Sequence, residues 1–390
     1  MHAIRTTGAS ARLLEAARNL AFLASLPVLA ACAGRHVKPD AAYADAPART
    51  VRVAYDQDGD IYPRDTSAID WSAFKPSRFQ SRFGGPLRLK DLRDREGHKP
   101  YAGVRGQAQR DAEQALDQAL RGTDMLVVLI HGFNNDYGEA RTAYEAIRKR
   151  IVRDAARTAY LEVFWDGLAL RSDKALDKAG YASFWPDALT YSNLAGQYGL
   201  RPLLNSIRHD VDLRFVTHSR GAAVALAALA DPLYDPGIVK PATTDQNRAL
   251  ANPRIRTIGI AAFAPAIGAG HLHDALDQAL ATHPTLFLAG VNPRDFATSK
   301  SILSSEFWGD TSLGSDPGFL LEQQSRHRAN FTLLAGLFRH GSEHALEAYF
   351  RDDALTACFF RSIDLGPHTP ACHLIGEVAA AAEKRGIAGD

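Results

Sequence analysis

The chain has 390 residues, 46% hydrophobic and 23% charged, an ordinary globular composition long enough to bury a substantial core. Forty-five Lys and Arg against 44 Asp and Glu leave a formal charge of +1. That argues against a nucleic-acid binder, which gathers a basic surplus on one face. No apolar run reaches the roughly 18 residues that span a bilayer, and three cysteines are too few for a disulfide scaffold or a zinc ribbon.

The N-terminus reads as an address. Arg5, Arg12 and Arg18 stand against a lone Glu15, and an apolar stretch follows from Leu20 to Ala31, the pattern of a secretory signal. Its ending, Leu29-Ala30-Ala31-Cys32, resembles the lipobox of bacterial lipoproteins. The resemblance implies that residues 1–31 are removed and that lipidated Cys32 anchors the chain in the cell envelope. Ala33, where Asp would retain the chain at the inner membrane, implies the outer membrane, facing the periplasm. Residues 32–50, rich in Ala, Pro and charge, read as a tether. In an exported chain Cys358 and Cys372 meet an oxidising compartment. Gly366, Pro367 and Pro370 between them can turn the chain back, which favours a disulfide; two buried free thiols are the alternative.

Residues 51–55 alternate as a strand. Asp56-Gln-Asp-Gly-Asp60 resembles the start of a calcium loop, but Ile61 replaces the Gly and Ser67 the Glu that such a loop needs, so it reads as a polar turn. A helix is predicted over 106–121, and residues 51–120 read as an N-terminal extension packed on the domain that follows. Residues 125–130 form a continuous apolar run, expected of a strand buried on both faces of a parallel sheet. A helix over 137–156 shows Tyr144, Ile147 and Ile151 on one face. Strands at 160–164 and 211–216 flank a helix over 194–207, broken near Pro202. A helix over 222–230 stops at Asp231-Pro232. Strands at 255–263 and 285–291 bracket a helix over 271–281, and residues 331–337 form the last strand, with a helix from Ala345 onward. Such alternation predicts an α/β fold with a mostly parallel central sheet flanked by helices, occupying 121–390 and closing in a helical segment.

Val216-Thr-His-Ser-Arg-Gly221 stands between a buried strand and an Ala-rich helix, the place of a nucleophile elbow. Gly221 supplies the small residue needed two places after Ser219; Thr217 stands where the usual pattern has Gly. The strand ending at Ile130 runs into His131-Gly-Phe-Asn-Asn135. Together these motifs resemble the α/β-hydrolase superfamily, in particular bacterial members with the HGFN motif whose function is unknown. The resemblance spans roughly residues 120–350. It implies the α/β-hydrolase fold, a nucleophile at Ser219, and an oxyanion hole made by the backbone N–H groups of Phe133 and Arg220. His131, Gly132, Asn134 and Gly221 would shape that site.

The superfamily's order, serine then acid then histidine, directs attention to the later strands. Asp295, just past the strand 285–291, is the expected acid, with capping of a following helix as its alternative role. His344 is the expected base, ahead of His340 and His327. Trp165, Trp185 and Tyr191 cluster where a small cap-like insertion would lie and could line an acyl pocket or fill the core. His271, His273 and Asp274 have metal-ligand side chains without a third distant ligand, and read as a helix start with solvated histidines. No metal, cofactor or nucleotide motif is found. The expected activity is hydrolysis of a carboxylic ester, lipid or lysophospholipid esters among them. The alternatives are acyl transfer by the same residues, or a non-catalytic envelope protein on the same fold.

Overall fold

The computed structural model describes residues 43, 46–64, 89–91, 101–167, 185, 187–232, 249–272, 280, 282–299, 311–325, 330–367 and 374–376. The signal segment, Cys32, Ser67, His273, Asp274, His327 and Cys372 lie outside them, as does most of the expected cap-like insertion. Among the described residues no helix is long and apolar enough to cross a membrane.

Seven strands form one sheet in the order β1-β3-β2-β4-β5-β6-β7: β1 (Thr50–Tyr55), β2 (Met125–Ile130), β3 (Thr158–Trp165), β4 (Val211–His218), β5 (Ile255–Phe263), β6 (Thr285–Val291) and β7 (Phe331–Leu337). Every pairing is parallel. A parallel sheet must be covered on both faces. Accordingly all six residues of β2 are buried, and the core divides into one apolar cluster on each side of the sheet. This is the α/β fold with a parallel central sheet flanked by helices that the alternation of elements predicted.

β1 is the edge strand of this sheet, paired with β3 through all six of its residues, so the sheet runs through the expected division near residue 121. Helix α1 (Tyr101–Leu120) covers it with Ala108, Ala112, Leu116 and Leu120, four positions at helical spacing. Within the expected tether, Tyr43 is already docked: its hydroxyl donates to the Tyr62 carbonyl at 2.7 Å and accepts the Ala54 N–H. The Asp56–Asp60 turn is polar, and Lys90 and Arg105 pair with its Asp58 and Asp60. Buried Asp56 accepts the N–H groups of Asp58, Asp60 and Leu89, which uses its carboxylate to brace the loop. On β3 the fully buried Glu162 lies between Arg52 (2.6 Å) and Arg148 (2.5 Å), which compensate its charge inside the sheet edge.

Helix α2 (Tyr137–Arg148) starts at a capping box of Asp136 and Glu139 and ends eight residues before the periodicity suggested. Beyond it the Val152 N–H goes to the Leu365 carbonyl, so a contact from the far end of the chain draws the backbone out of the helix. Before Pro202 the helical residues 187–194 widen into a π-helical turn (Ala195–Leu200) that leads directly into α3 (Arg201–Asn205). The chain continues through the proline instead of breaking, because a π turn relocates the hydrogen bonds that its missing N–H would interrupt. The Ala-rich helix α4 (Gly221–Leu229) is buried throughout, and its C-terminal carbonyls of Ala227 and Ala228 are capped by the buried Arg201 guanidinium, itself paired with Asp231 at 2.9 Å. Helices α5 (Pro317–Ser325), α6 (Leu346–Tyr349) and α7 (Asp353–Ser362) complete the described layers. Cys358, buried in α7, is disulfide-bonded.

Candidate active site

The connection leaving β2 returns to β3 on one side, and the one leaving β4 passes to β5 on the other. A crevice must open between the carboxyl ends of two strands whose connections diverge, and such switch points are where open parallel sheets hold ligands. The loop after β2 carries His131-Gly132-Phe133. The loop after β4 carries Ser219. The fold therefore brings the two motifs face to face.

Ser219 sits in the left-handed region, φ 52°, between strand and helix. That conformation is uncommon for a non-glycine residue and persists only where the surroundings hold it. Here the Ser219 N–H donates to the Phe263 carbonyl (2.9 Å), and its carbonyl accepts the N–H groups of Ala222 and Ala266. The turn is tight enough that a Cβ at residue 221 would stand 2.6 Å from the His131 carbonyl oxygen and 2.7 Å from that of Ile130. Only glycine lets α4 start so close to β2. Thr217 occupies the corresponding place before the serine and is fully buried.

His344 Nε2 lies 2.8 Å from Ser219 Oγ, and His344 Nδ1 lies 2.9 Å from both carboxylate oxygens of Asp295. With the Nδ1 proton directed at a carboxylate, Nε2 is left as an acceptor for the serine hydroxyl. Asp295 is fully buried. Burial by itself would raise its pKa, but hydrogen bonds from His344, Tyr349 and the Thr298 N–H outweigh this and hold the carboxyl below its usual range. The Ala297 and Thr298 N–H groups bind Oδ1, so Asp295 braces a turn while it orients His344; no helix starts there for it to cap, because the described residues 296–299 are turn and bend. His340 does not face the serine. Its ring packs edge-on against Tyr349 at 4.3 Å, and its Nδ1 lies 3.4 Å from Asn292.

Three residues in this arrangement were not singled out from the sequence. Tyr349 donates to Asp295 Oδ2 at 2.8 Å. Asn292 donates to the carbonyls of His340 and Gly341, tying the loop that carries Asp295 to the one that carries His344. His218 Nε2 lies 2.7 Å from the His344 carbonyl oxygen, which can only accept, so this nitrogen carries a proton. The only signal available beforehand was that each stands next to, or a few residues from, a motif residue. Tyr349→Phe removes one of the two side-chain donors on Asp295 while keeping the buried ring. It is expected to lower kcat by about tenfold with KM little changed, as loss of an orienting outer partner does. Steady-state kinetics on a chromogenic ester would check this.

His131 is buried and its ring stacks on Trp165 at 5.7 Å. The Trp165 N–H donates to Nε2 (3.1 Å), so the proton sits on Nδ1 and donates to the Gly132 carbonyl (2.8 Å). That carbonyl belongs to the same planar trans peptide as the Phe133 N–H, so fixing one turns the other to the opposite side. Trp165 also donates its indole N–H to the His131 carbonyl, which makes it core and not a pocket wall. Phe133 meets Trp185 edge-on at 5.3 Å. The Arg220 side chain is buried and holds Ser192, Leu189 and Asn193 of the helix before the π turn. His271, expected to be solvated, is buried with Nε2 2.9 Å from Asn193 Oδ1. The short turn Ala269–His271 folds it under that same helix. Among the described residues no group of three or more His, Cys, Asp and Glu could hold a metal ion.

Burial pushes the His131 pKa down to about 4, and burial together with the neighbouring His344 pushes that of His218 to about 3. The unfolded histidines titrate near 6.5. Below that pH the unfolded chain binds protons that the folded chain refuses, so stability falls as pH falls, until His131 itself titrates near pH 4. For His131 the slope is about 1.4 kcal/mol per pH unit, and His218 adds in the same direction. Urea unfolding at pH 7 and pH 5 should show the loss, and His131→Gln should flatten it.

No family model and no curated protein matches the sequence. Among solved structures, an esterase of the Planctomycetes species Thermogutta terrifontis with propionate bound is 13% identical, covering 64% of this chain and 88% of its own at a TM-score of 0.32. An acetyl xylan esterase is 13% identical (61% and 98% covered, TM-score 0.31), and acyl-protein thioesterase 2 of Zea mays 12% (63% and 95%, TM-score 0.30). Likeness of this degree leaves the chemistry to be argued from the site itself.

Proposed function

We propose that the protein is a serine hydrolase that cleaves carboxylic esters through an acyl-enzyme. The observation that carries this reading is the continuous chain Ser219 Oγ, His344, Asp295, with 2.8 and 2.9 Å links, at the switch point of a parallel sheet. Ser219 Oγ attacks the ester carbonyl while His344 Nε2 takes its proton. Asp295 keeps His344 in the tautomer that can accept it and stabilises the resulting imidazolium. The N–H groups of Phe133 and Arg220 receive the developing oxyanion, with His131 setting the first of them by its hold on the Gly132 carbonyl. His344 returns the proton to the leaving alcohol, and water then releases the acid by the same steps in reverse.

In this reading Cys32 is lipidated and holds the enzyme at the outer membrane facing the periplasm, Cys358 pairs with Cys372, and lipid-like esters are among the substrates. No metal or cofactor takes part. Acyl transfer to an alcohol would use the same residues and is separated by whether added alcohol diverts the product. The test is labelling of the purified chain with a fluorophosphonate and peptide mass spectrometry. Stoichiometric label on Ser219, lost in His344→Ala and kept in His340→Ala, is expected. A folded protein whose Ser219 stays unlabelled overturns the mechanism and favours a non-catalytic envelope protein.

A further inference from the structure

Two adjacent residues of the elbow hold the same histidine at two different points. Ser219 Oγ lies 2.8 Å from His344 Nε2, and His218 Nε2 donates to the His344 carbonyl oxygen at 2.7 Å. The first bond ties the ring, the second the main chain that carries it. The His218 and His344 ring centroids stand 5.0 Å apart with the rings tilted by 44°. His218 thus reaches past the reacting ring to its backbone.

The segment that carries His344 has few other ties. Gly341, Ser342, Glu343 and Ala345 are exposed. The Ser342 carbonyl accepts the Phe296 N–H at 3.2 Å. The Glu343 carboxylate pairs with Arg351 in an exposed ion pair, a kind that contributes little. Among the described residues, the bond from His218 is the only hydrogen bond made by the main chain of Glu343 and His344. The next carbonyl, that of Ala345, already accepts the Ala348 N–H at the start of α6, and α6 carries Tyr349, the donor to Asp295. Fixing the His344 carbonyl therefore also fixes the entry to that helix.

The chemistry makes the two ties unequal in time. In acylation Ser219 Oγ bonds to the ester carbonyl carbon, and its proton passes through His344 Nε2 to the departing alcohol oxygen. Oγ is then an ester oxygen without a proton. Neutral Nε2 is an acceptor, so no hydrogen bond joins the two. His344 must nevertheless stay in place. Its Nε2 takes a proton from the attacking water as the water oxygen bonds to the acyl carbon. It returns that proton to Oγ as the bond from carbon to Oγ breaks and the acid leaves. Through this half of the cycle Asp295 holds the ring at Nδ1 and His218 holds the backbone. Resting on the hydrolase reading above, we infer that His218 is a positioning residue for deacylation. By holding the His344 carbonyl it keeps the base in register while Ser219 is acylated, and so it governs the second half of the reaction more than the first.

The test uses the full chain with p-nitrophenyl trimethylacetate, whose crowded acyl group slows attack by water and lets the acyl-enzyme accumulate. Release of p-nitrophenol with enzyme in excess reads acylation. Loss of the acyl mass from the Ser219 peptide reads deacylation. His218→Phe keeps a ring without a donor, and His218→Asn keeps an amide that is one bond too short. His218→Gln places its amide nitrogen as many bonds from Cβ as the imidazole Nε2. Circular dichroism checks folding, and if the Phe variant does not fold, the Asn and Gln pair decides. His218→Phe and His218→Asn are expected to slow deacylation by about tenfold, the cost of losing an orienting outer partner, and acylation by less. In steady state kcat and KM should then fall together, because a longer-lived acyl-enzyme lowers both. His218→Gln should recover most of the deacylation rate. Unchanged deacylation in the Phe and Asn variants, both steps slowed alike, or a Gln variant as slow as the other two would overturn the role of His218 while leaving the acyl-enzyme mechanism standing. A wild-type chain whose Ser219 gains no acyl mass overturns that mechanism, and this inference with it.

Discussion

Replacing Ser219 or His344 with Ala is expected to lower kcat for ester hydrolysis by about a millionfold each, and replacing both together by no more than either alone. The two act as one unit: without Nε2 within 2.8 Å the hydroxyl keeps its proton, and without the hydroxyl the imidazole has nothing to activate. Asp295→Asn is expected to cost about 10⁴ for a different reason. An amide at 295 can present its N–H₂ to His344 Nδ1, which moves the ring proton to Nε2 and removes the base while the geometry survives. Single-turnover and steady-state kinetics, with circular dichroism to confirm folding, measure all four variants. A His344→Ala protein within tenfold of wild type would falsify the role given to that ring.

Gly132→Ala is expected to cost about 10²–10³ in kcat, the loss that follows removal of one oxyanion donor. Its added methyl would meet Ser219 Cβ and His218 Nδ1 at 2.9 Å and the His218 carbonyl oxygen at 3.2 Å. The serine side is fixed by three backbone hydrogen bonds, so the loop after β2 must retreat and carry the Phe133 N–H with it. KM should change little, because the donor matters most once charge has developed on the oxygen. Gly221→Ala meets the main-chain carbonyls of Ile130, the last residue of β2, and of His131 just after it, so its effect should fall on stability, by about 1–3 kcal/mol, with thermal melting as the measure. A Gly132→Ala protein with unchanged kcat and a lowered melting temperature would show that the loop is merely packing.

The sequence by itself determined the strands and the chemistry nearest to them. Continuous apolar runs such as 125–130 mark strands because a parallel sheet buries both faces, and that pattern does not depend on what the rest of the chain does. Ser219, Gly221 and the His131–Gly132 pair were legible because a tight strand-to-helix turn dictates residue types over a few positions. The tertiary structure decided what depends on partners distant in sequence. Tyr349 reaches Asp295 across 54 positions, and His218 reaches the His344 carbonyl across 126. No local spacing encodes such a bond. The choice of His344 over His340 was of the same kind: both stand in the same short loop, and only the packing of one ring on Tyr349 sends the other to the serine. The helix at 137 stopped early because the Leu365 carbonyl captured the Val152 N–H, and β1 joined the sheet because its backbone found β3. Local pattern selects an element's type through sterics and burial, which act within a turn or two. Its limits, neighbours and final proton partners are set by hydrogen bonds that exist only once the chain has closed on itself.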